Sequence, residues 1–261
     1  MSHRARKRFG QNFLHDKSVI SEIIDCIQLN SDSHIVEIGP GTGALTEQLA
    51  GKCMKLTVIE IDRDLAAELE KKFSTVKQLQ IYCQDALKFN FGTLPKDQGH
   101  IRIVGNLPYN ISTPLLFHIL DQNNCISDMH FMLQKEVVER ICAKPGSKIY
   151  GRLSVMTQYK CHVEKLFDVA PECFTPKPRV ISSMVRLTPH SPENLSADDY
   201  TQFESIVKHA FSQRRKTLKN SIKEFAGKHT FASLCIDPNA RPETLTVTDF
   251  VRISNYCSKP I

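Results

Sequence analysis

Three of the chain's 11 glycines fall within five positions, Gly39, Gly41 and Gly43, and this cluster limits the fold more than any other feature. It joins a β-branched apolar run, His34–Ile38, to a helix-patterned segment, Ala44–Ala50. Glycines at the end of a buried strand let the backbone take positive φ and approach a ligand closely where a helix begins. The alternation continues downstream. Leu56–Ile61, Leu79–Tyr82, Ile101–Val104 and Met129–Leu133 read as strands; Leu65–Phe73, Leu115–Leu120 and Glu136–Cys142 read as helices. Such β-α alternation predicts an α/β fold, a parallel sheet with helices on both faces.

The pattern changes near Ala170, where Pro171, Pro176, Pro178, Pro189 and Pro192 punctuate the chain around one further strand, Ser182–Leu187. Beyond it Asp198–Ala210, Arg214–Ala226 and Thr248–Cys257 have helical spacing. This places a domain boundary after residue 189: a ligand-binding domain over 1–189 and a small α-helical domain over 190–261. With 261 residues, 41% hydrophobic and 24% charged, the chain is long enough for both cores and too apolar for wholesale disorder. No apolar run approaches the ~18 residues of a membrane-spanning helix. The nine cysteines contain no C-x-x-C pair, so no zinc or dithiol site is expected, and with no secretory leader the expected compartment is the cytoplasm.

The glycine loop alone does not name its ligand. Gly39, Gly41 and Ala44 also fit the G-x-G-x-x-[GA] dinucleotide fingerprint. Glu60, ending the second strand of the series, suits a ribose diol in either case. Asp85, just after the third, is placed to accept from an adenine amine. A nicotinamide dehydrogenase and an S-adenosylmethionine (SAM) enzyme both survive at this point.

The segment that separates them is Asn106-Leu107-Pro108-Tyr109, after strand Ile101–Val104. In a doubly wound sheet the carboxyl ends of the strands line the ligand crevice. There the Asn106 side-chain oxygen and the Leu107 carbonyl can accept two hydrogens of one exocyclic amine. Pro108 stiffens the turn, and Tyr109 offers a face on which a base can stack. Two acceptors on one amine free its lone pair for attack on an electrophilic methyl group. Hydride transfer has no use for this arrangement.

Taken together, Arg8 to Leu14, Glu37 to Gly43, Asn106 to Thr113, Phe174 to Pro178 and Phe211 to Leu218 resemble the ribosomal RNA adenine dimethyltransferase family. The matching segments run from residue 6 to residue 255. The N-terminal arm is short for the family. The resemblance implies a Rossmann-like SAM-dependent methyltransferase sheet. It also implies transfer of methyl groups from SAM to the N6 amines of two adjacent adenosines near the 3′ end of small-subunit rRNA. By motif position it implies cofactor contacts at Asn12, Leu14, Gly39, Glu60, Asp85 and Asn106, to which the glycine loop adds Gly41. Asn12 and Leu14 would otherwise read only as a loop before a helix. Phe174 becomes a candidate for a second stacking face opposite Tyr109, with a core role as the competing reading.

Basic residues extend the expectation to RNA. Arg4, Arg6, Lys7 and Arg8 form an arm without an acid; Lys208, Arg214, Arg215, Lys216, Lys219 and Lys223 fall in one acid-free stretch. Both suit phosphates, and Arg4, Arg6, Lys7, Arg8, Arg214, Arg215, Lys216 and Lys219 are the candidate RNA contacts. A solvated tail and a solvated helix face remain the alternatives. The expected partner is a precursor of the small ribosomal subunit, bound by a monomer. Two other readings stay open: an assembly factor whose methylation is secondary, and a large-subunit rRNA methyltransferase sharing the same core motifs.

Overall fold

The computed structural model describes residues 6, 10–94, 100–122, 125–213 and 216–258. They divide into two units, one drawn from Met1–Val138 and Glu164–Pro189, the other from Glu139–Val163 and His190–Ile261.

The strands are β1 (Phe13–Leu14), β2 (His34–Ile38), β3 (Lys55–Glu60), β4 (Leu79–Cys83), β5 (Ile101–Asn106), β6 (Ile126–Gln134), β7 (Cys161–Val169), β8 (Phe174–Thr175) and β9 (Ser182–Pro189). Seven form one sheet in the order β4-β3-β2-β5-β6-β9-β7. β2, an interior strand, is buried at all five positions, as a strand covered on both faces must be. It pairs in parallel with β3 on one side and β5 on the other. The strand order reverses there, and the crevice beyond the carboxyl ends of β2 and β5 is where an open α/β sheet takes its ligand.

The helices of this unit are α1 (Lys17–Ile27), α2 (Ala44–Leu49), α3 (Arg63–Lys72), α4 (Ser112–Leu120) and the start of α5 (Lys135–Ile141). In α1 the Asp16 carboxylate accepts from the amides of Ser18 and Val19, satisfying two donors of the first turn. Ile20, Ile23, Ile24 and Ile27 repeat at helical spacing and join a core cluster with Leu45, Leu49, Leu56 and Val58. Each such burial is worth roughly 2 kcal/mol. Asp62 caps α3, and Lys71 and Lys72 sit in its last turn, where the helix dipole favours cations.

The second unit is helical: the end of α5, α6 (Arg152–Lys160), α7 (Tyr200–Ala210), α8 (Leu218–Ser221), α9 (Lys228–Leu234) and α10 (Val247–Cys257). α10 begins with a capping box between Thr246 and Asp249 and packs on α6, α7 and α9. Aromatic rings fill the centre. Tyr159 and Phe203 lie 4.4 Å apart between centroids, and Phe211 and Phe250 lie 5.7 Å apart.

Three expectations are corrected, and one strand is new. The sheet is mixed, because β9 runs antiparallel to β6. Alternation implies parallel strands only where a helix crosses between them, and no α-helix separates β7 from β9. β7 was not expected at all; it is an edge strand carrying His162, Glu164, Lys165 and Asp168, which mask its period. The helix expected over Arg214–Ala226 shortens, among the described residues, to Leu218–Ser221. At its start the amides of Leu218 and Lys219 donate instead to the carbonyls of Ala240 and Pro238. Finally, a single cut after 189 assigned 139–163 to the first domain, whereas this segment clusters with the helical unit, where α6 packs against α7 and α10.

Candidate active site

A cleft of about 930 Å³, including its mouth, opens beyond the carboxyl ends of β2, β3 and β5. Its floor is the glycine loop. Gly39, Gly41 and Gly43 all take positive φ, at 65°, 58° and 83°. At Gly41 a Cβ would also come within 2.8 Å of the Phe13 ring, so the loop and the 10–14 segment close on each other only because no side chain intervenes. A second close approach occurs at Gly105, where a Cβ would lie 2.6 Å from the Ile38 carbonyl oxygen. That position lets β5 run tightly beside β2.

Two buried carboxylates face this cleft. Glu60 is 4% exposed; one oxygen accepts from the Asp62 amide at 2.9 Å, the other from the Gly41 amide at 3.4 Å. Burial raises its pKa against the pull of those amides. Glu37 is 1% exposed and accepts from Thr46 Oγ1 at 2.6 Å. Burial, with a contribution from Glu60, pushes it up to about 7. Asp85 lines the same cleft and accepts from the Leu87 amide at 3.0 Å, capping a short 3₁₀ turn.

The opposite wall is Asn106-Leu107-Pro108-Tyr109. Asn106 ends β5, so its position is set by the sheet. Its side-chain Nδ2 donates to the Asn12 carbonyl at 2.9 Å, which turns Oδ1 away from that carbonyl, with no donor to it among the described residues. The Leu107 amide is tied to the Met132 carbonyl at 3.1 Å, and the Ile111 amide closes the turn on the Pro108 carbonyl, also at 3.1 Å. Tyr109 lines the cleft, and its hydroxyl shares a 2.6 Å hydrogen bond with Ser182 Oγ.

Residues 10–14 form a strap across the loop. Its end, β1, pairs antiparallel with β8, Leu14 opposite Phe174. At its start the Gln11 side chain accepts from the Arg6 amide at 2.7 Å and donates to Asp62 at 3.3 Å.

A model of the ribosomal RNA adenine dimethylase family matches residues 2–259. The chain belongs to the ribosomal RNA adenine dimethylase family. Among curated relatives of this dimethylase, "Ribosomal RNA small subunit methyltransferase A" of Marinomonas sp. (strain MWYL1) is 52% identical, covering 98% of this chain and 97% of its own. The protein of the same name from Pseudomonas aeruginosa is 51% identical, covering 98% and 96%. Among solved structures, a dimethyladenosine transferase from Plasmodium falciparum superposes with a TM-score of 0.79 at 25% identity, covering 92% of this chain and 95% of that one. The 23S rRNA methyltransferase ErmE superposes with a TM-score of 0.73 at 24% identity, over 95% and 100%, which shows the shared fold. The chain is thus a methyltransferase with a Rossmann-like sheet, and the dehydrogenase reading falls.

Of the residues expected at the dimethylase site, Asn12, Leu14, Gly39, Gly41, Glu60, Asp85, Asn106, Leu107, Pro108 and Tyr109 all line the one cleft. Phe174 does not: it is 2% exposed and packs in the core cluster with Leu14 and Ile20, which favours the competing core reading over a second stacking face. Its pairing with β1 pulls it inward. Arg6 is engaged within the chain. Its guanidinium binds Asp62 at 2.9 Å and also pairs with Asp64, which leaves a phosphate competing with two carboxylates. Lys216 and Lys219 are exposed, while Arg4, Lys7, Arg8, Arg214 and Arg215 lie outside the described residues.

Sequence reasoning passed over Glu37, Gln11 and Ile61, which also line the cleft. A signal existed for Glu37, a lone acid inside the buried strand HIVEI. Gln11 lay within the Arg8 to Leu14 motif without being assigned a role, and Ile61 carried no signal. Among the described residues no cluster of His, Cys, Asp or Glu could hold a metal ion, and no helix is long and apolar enough to cross a membrane.

Proposed function

We propose that this chain uses SAM to dimethylate the N6 amines of two adjacent adenosines near the 3′ end of small-subunit rRNA. The observation that carries the reading is the Asn106 amide. It is oriented through Nδ2 by the Asn12 carbonyl, with Oδ1 left to accept, in the same cleft as the glycine loop and Glu60.

The residues fit SAM better than a dinucleotide. SAM carries a net positive charge, which suits a cleft lined, among the described residues, by the acids Glu37, Glu60 and Asp85 and by no lysine or arginine. A pyrophosphate would meet acids there and, among the described residues, no cationic side chain. Glu60 would take the ribose hydroxyls, Asp85 the adenine amine, and the Gly39 and Gly41 backbone would make room for the amino-acid portion. Asn12 and Leu14, on the strap, would close over it. When bound, SAM supplies a methyl group already activated on a sulfonium.

The protein's own contribution is then positioning and electrostatics. The Asn106 Oδ1 and the Leu107 carbonyl accept the two N6 hydrogens of the target base and aim its lone pair into the cleft. Tyr109 stacks on the base once it has left its helix. No side chain is assigned as a general base, because the alkylated amine is acidic enough to release its proton to water. A methyl group can replace one N6 hydrogen without losing both acceptor bonds, which suits a second transfer to the same nitrogen. We further propose that the chain works as a monomer in the cytoplasm, on a precursor of the small subunit.

The test is transfer of labelled methyl to purified unmodified small subunits, with large subunits and naked rRNA as controls. Wild-type protein is expected to label small subunits alone. Asn106→Ala is expected to lower turnover by about 10²-fold or more, the usual loss for one oriented polar group at the reacting centre. Labelling of large subunits instead would reject the substrate assignment. Full activity of Asn106→Ala would reject the mechanism.

A further inference from the structure

A stacking platform works only if the ring is held in one orientation. Tyr109 sits three residues past the end of β5, on a turn rather than in the sheet. Its backbone is braced locally, since Ser112 Oγ donates to the Tyr109 carbonyl at 3.2 Å. The ring itself extends beyond those contacts, and what fixes its far end is the 2.6 Å hydrogen bond to Ser182.

Ser182 is suited to that task. It is fully buried and is the first residue of β9, in register opposite Gln134 of β6. The neighbouring backbone is anchored by the Lys135 amide, which donates to the Ile181 carbonyl at 3.0 Å. The next residue, Ser183, donates to Asp168, which Lys135 and Lys165 also engage at 2.7 Å each. The hydroxyl is thus carried by the rigid part of the sheet. It does not line the cleft, so it acts through Tyr109 alone. With the phenol oxygen engaged there, the tyrosine offers its ring face, not its hydroxyl, to a bound base.

We infer that Ser182 is a positioning residue for methyl transfer, locking the Tyr109 ring as a stacking face. The inference rests on the reading of Tyr109 as the base platform. A neutral hydrogen bond of this kind corresponds to about a 3- to 10-fold effect when removed.

The experiment is a double-mutant cycle on methyl transfer to unmodified small subunits, with SAM affinity measured by calorimetry on the same proteins. Ser182→Ala and Tyr109→Phe are each expected to lower kcat about 3- to 10-fold. The double variant should fall no further than the weaker single, and SAM affinity should stay within about twofold. Wild-type kcat for both singles, or effects that multiply in the double variant, would overturn the inference. Should Ser182→Ala fail to fold, Tyr109→Phe decides alone, because it removes the same bond from the cleft side. Tyr109→Ala separates the two levels. If it loses activity while Tyr109→Phe and Ser182→Ala match wild type, only the role of Ser182 falls. If it matches wild type, the stacking platform falls and the role of Ser182 with it.

Discussion

Glu37 is a carboxylic acid in the least solvated part of the central sheet, with Thr46 as its hydroxyl partner and Glu60 nearby. Its pKa is raised from 4.5 to about 7 in the folded protein, so folding favours the neutral form. The corresponding stability is fully present below about pH 4.5 and is lost as pH rises through about 7. Glu37→Gln, which keeps an acceptor for Thr46 and cannot ionise, is expected to melt with wild type near pH 4.5. At pH 8.5 it should melt higher, by about 7 °C or more, since a shift from 4.5 to about 7 corresponds to ~3 kcal/mol and each kcal/mol is worth ~2–4 °C in a chain of this size. Thermal melts of both proteins across that range check the prediction; parallel curves would refute it. At this scale legibility followed strand position. Glu60, Asp85 and Asn106 could be read because each ends or follows a recognisable strand. The core placement of Phe174 and the contact made by Ser182 were not legible because their partners, Leu14 and Tyr109, are distant in sequence and are met only through pairing.

Among elements, the strap over the glycine loop depends on interactions that hold both of its ends. β1 is only two residues long and gains its place from pairing with β8. The other end is held where Arg6 and Gln11 converge on the fully buried Asp62 side chain. Loss of that anchor should loosen cofactor binding more than the fold. Arg6→Ala is therefore expected to weaken SAM affinity about 3- to 10-fold with little change in melting temperature, an effect comparable to one charge-assisted hydrogen bond. Asp64→Ala should change affinity less than about twofold, because that partner is largely exposed and screened. Equal effects of the two variants would show that Asp62 is not the anchor. The elements themselves were legible where pattern and covering agree. β2, β3 and α3 lie near their expected bounds. α8 did not, since its first amides are claimed by residues 238 and 240.

For the molecule as a whole, chemistry and RNA capture are expected to separate. The cleft is built within the unit drawn from residues 1–138 and 164–189, and exposed Lys216 and Lys219 belong to the other. Reversing Arg214 and Arg215 to Glu should weaken binding to small subunits and flatten its dependence on salt, by about one unit of slope for each phosphate no longer neutralised. SAM affinity should stay unchanged; an unaltered salt slope would count against this surface. By itself the sequence determined the α/β core, the cleft end of the sheet and the motif residues, because burial on both faces and strand-end glycines leave local, periodic signatures. Only the tertiary structure decided that β9 runs antiparallel, that 139–163 joins the helical unit, that Arg6 faces carboxylates and that Ser182 meets Tyr109. Each of those depends on which distant segments share a hydrogen bond, and a linear pattern carries no record of a partner's identity.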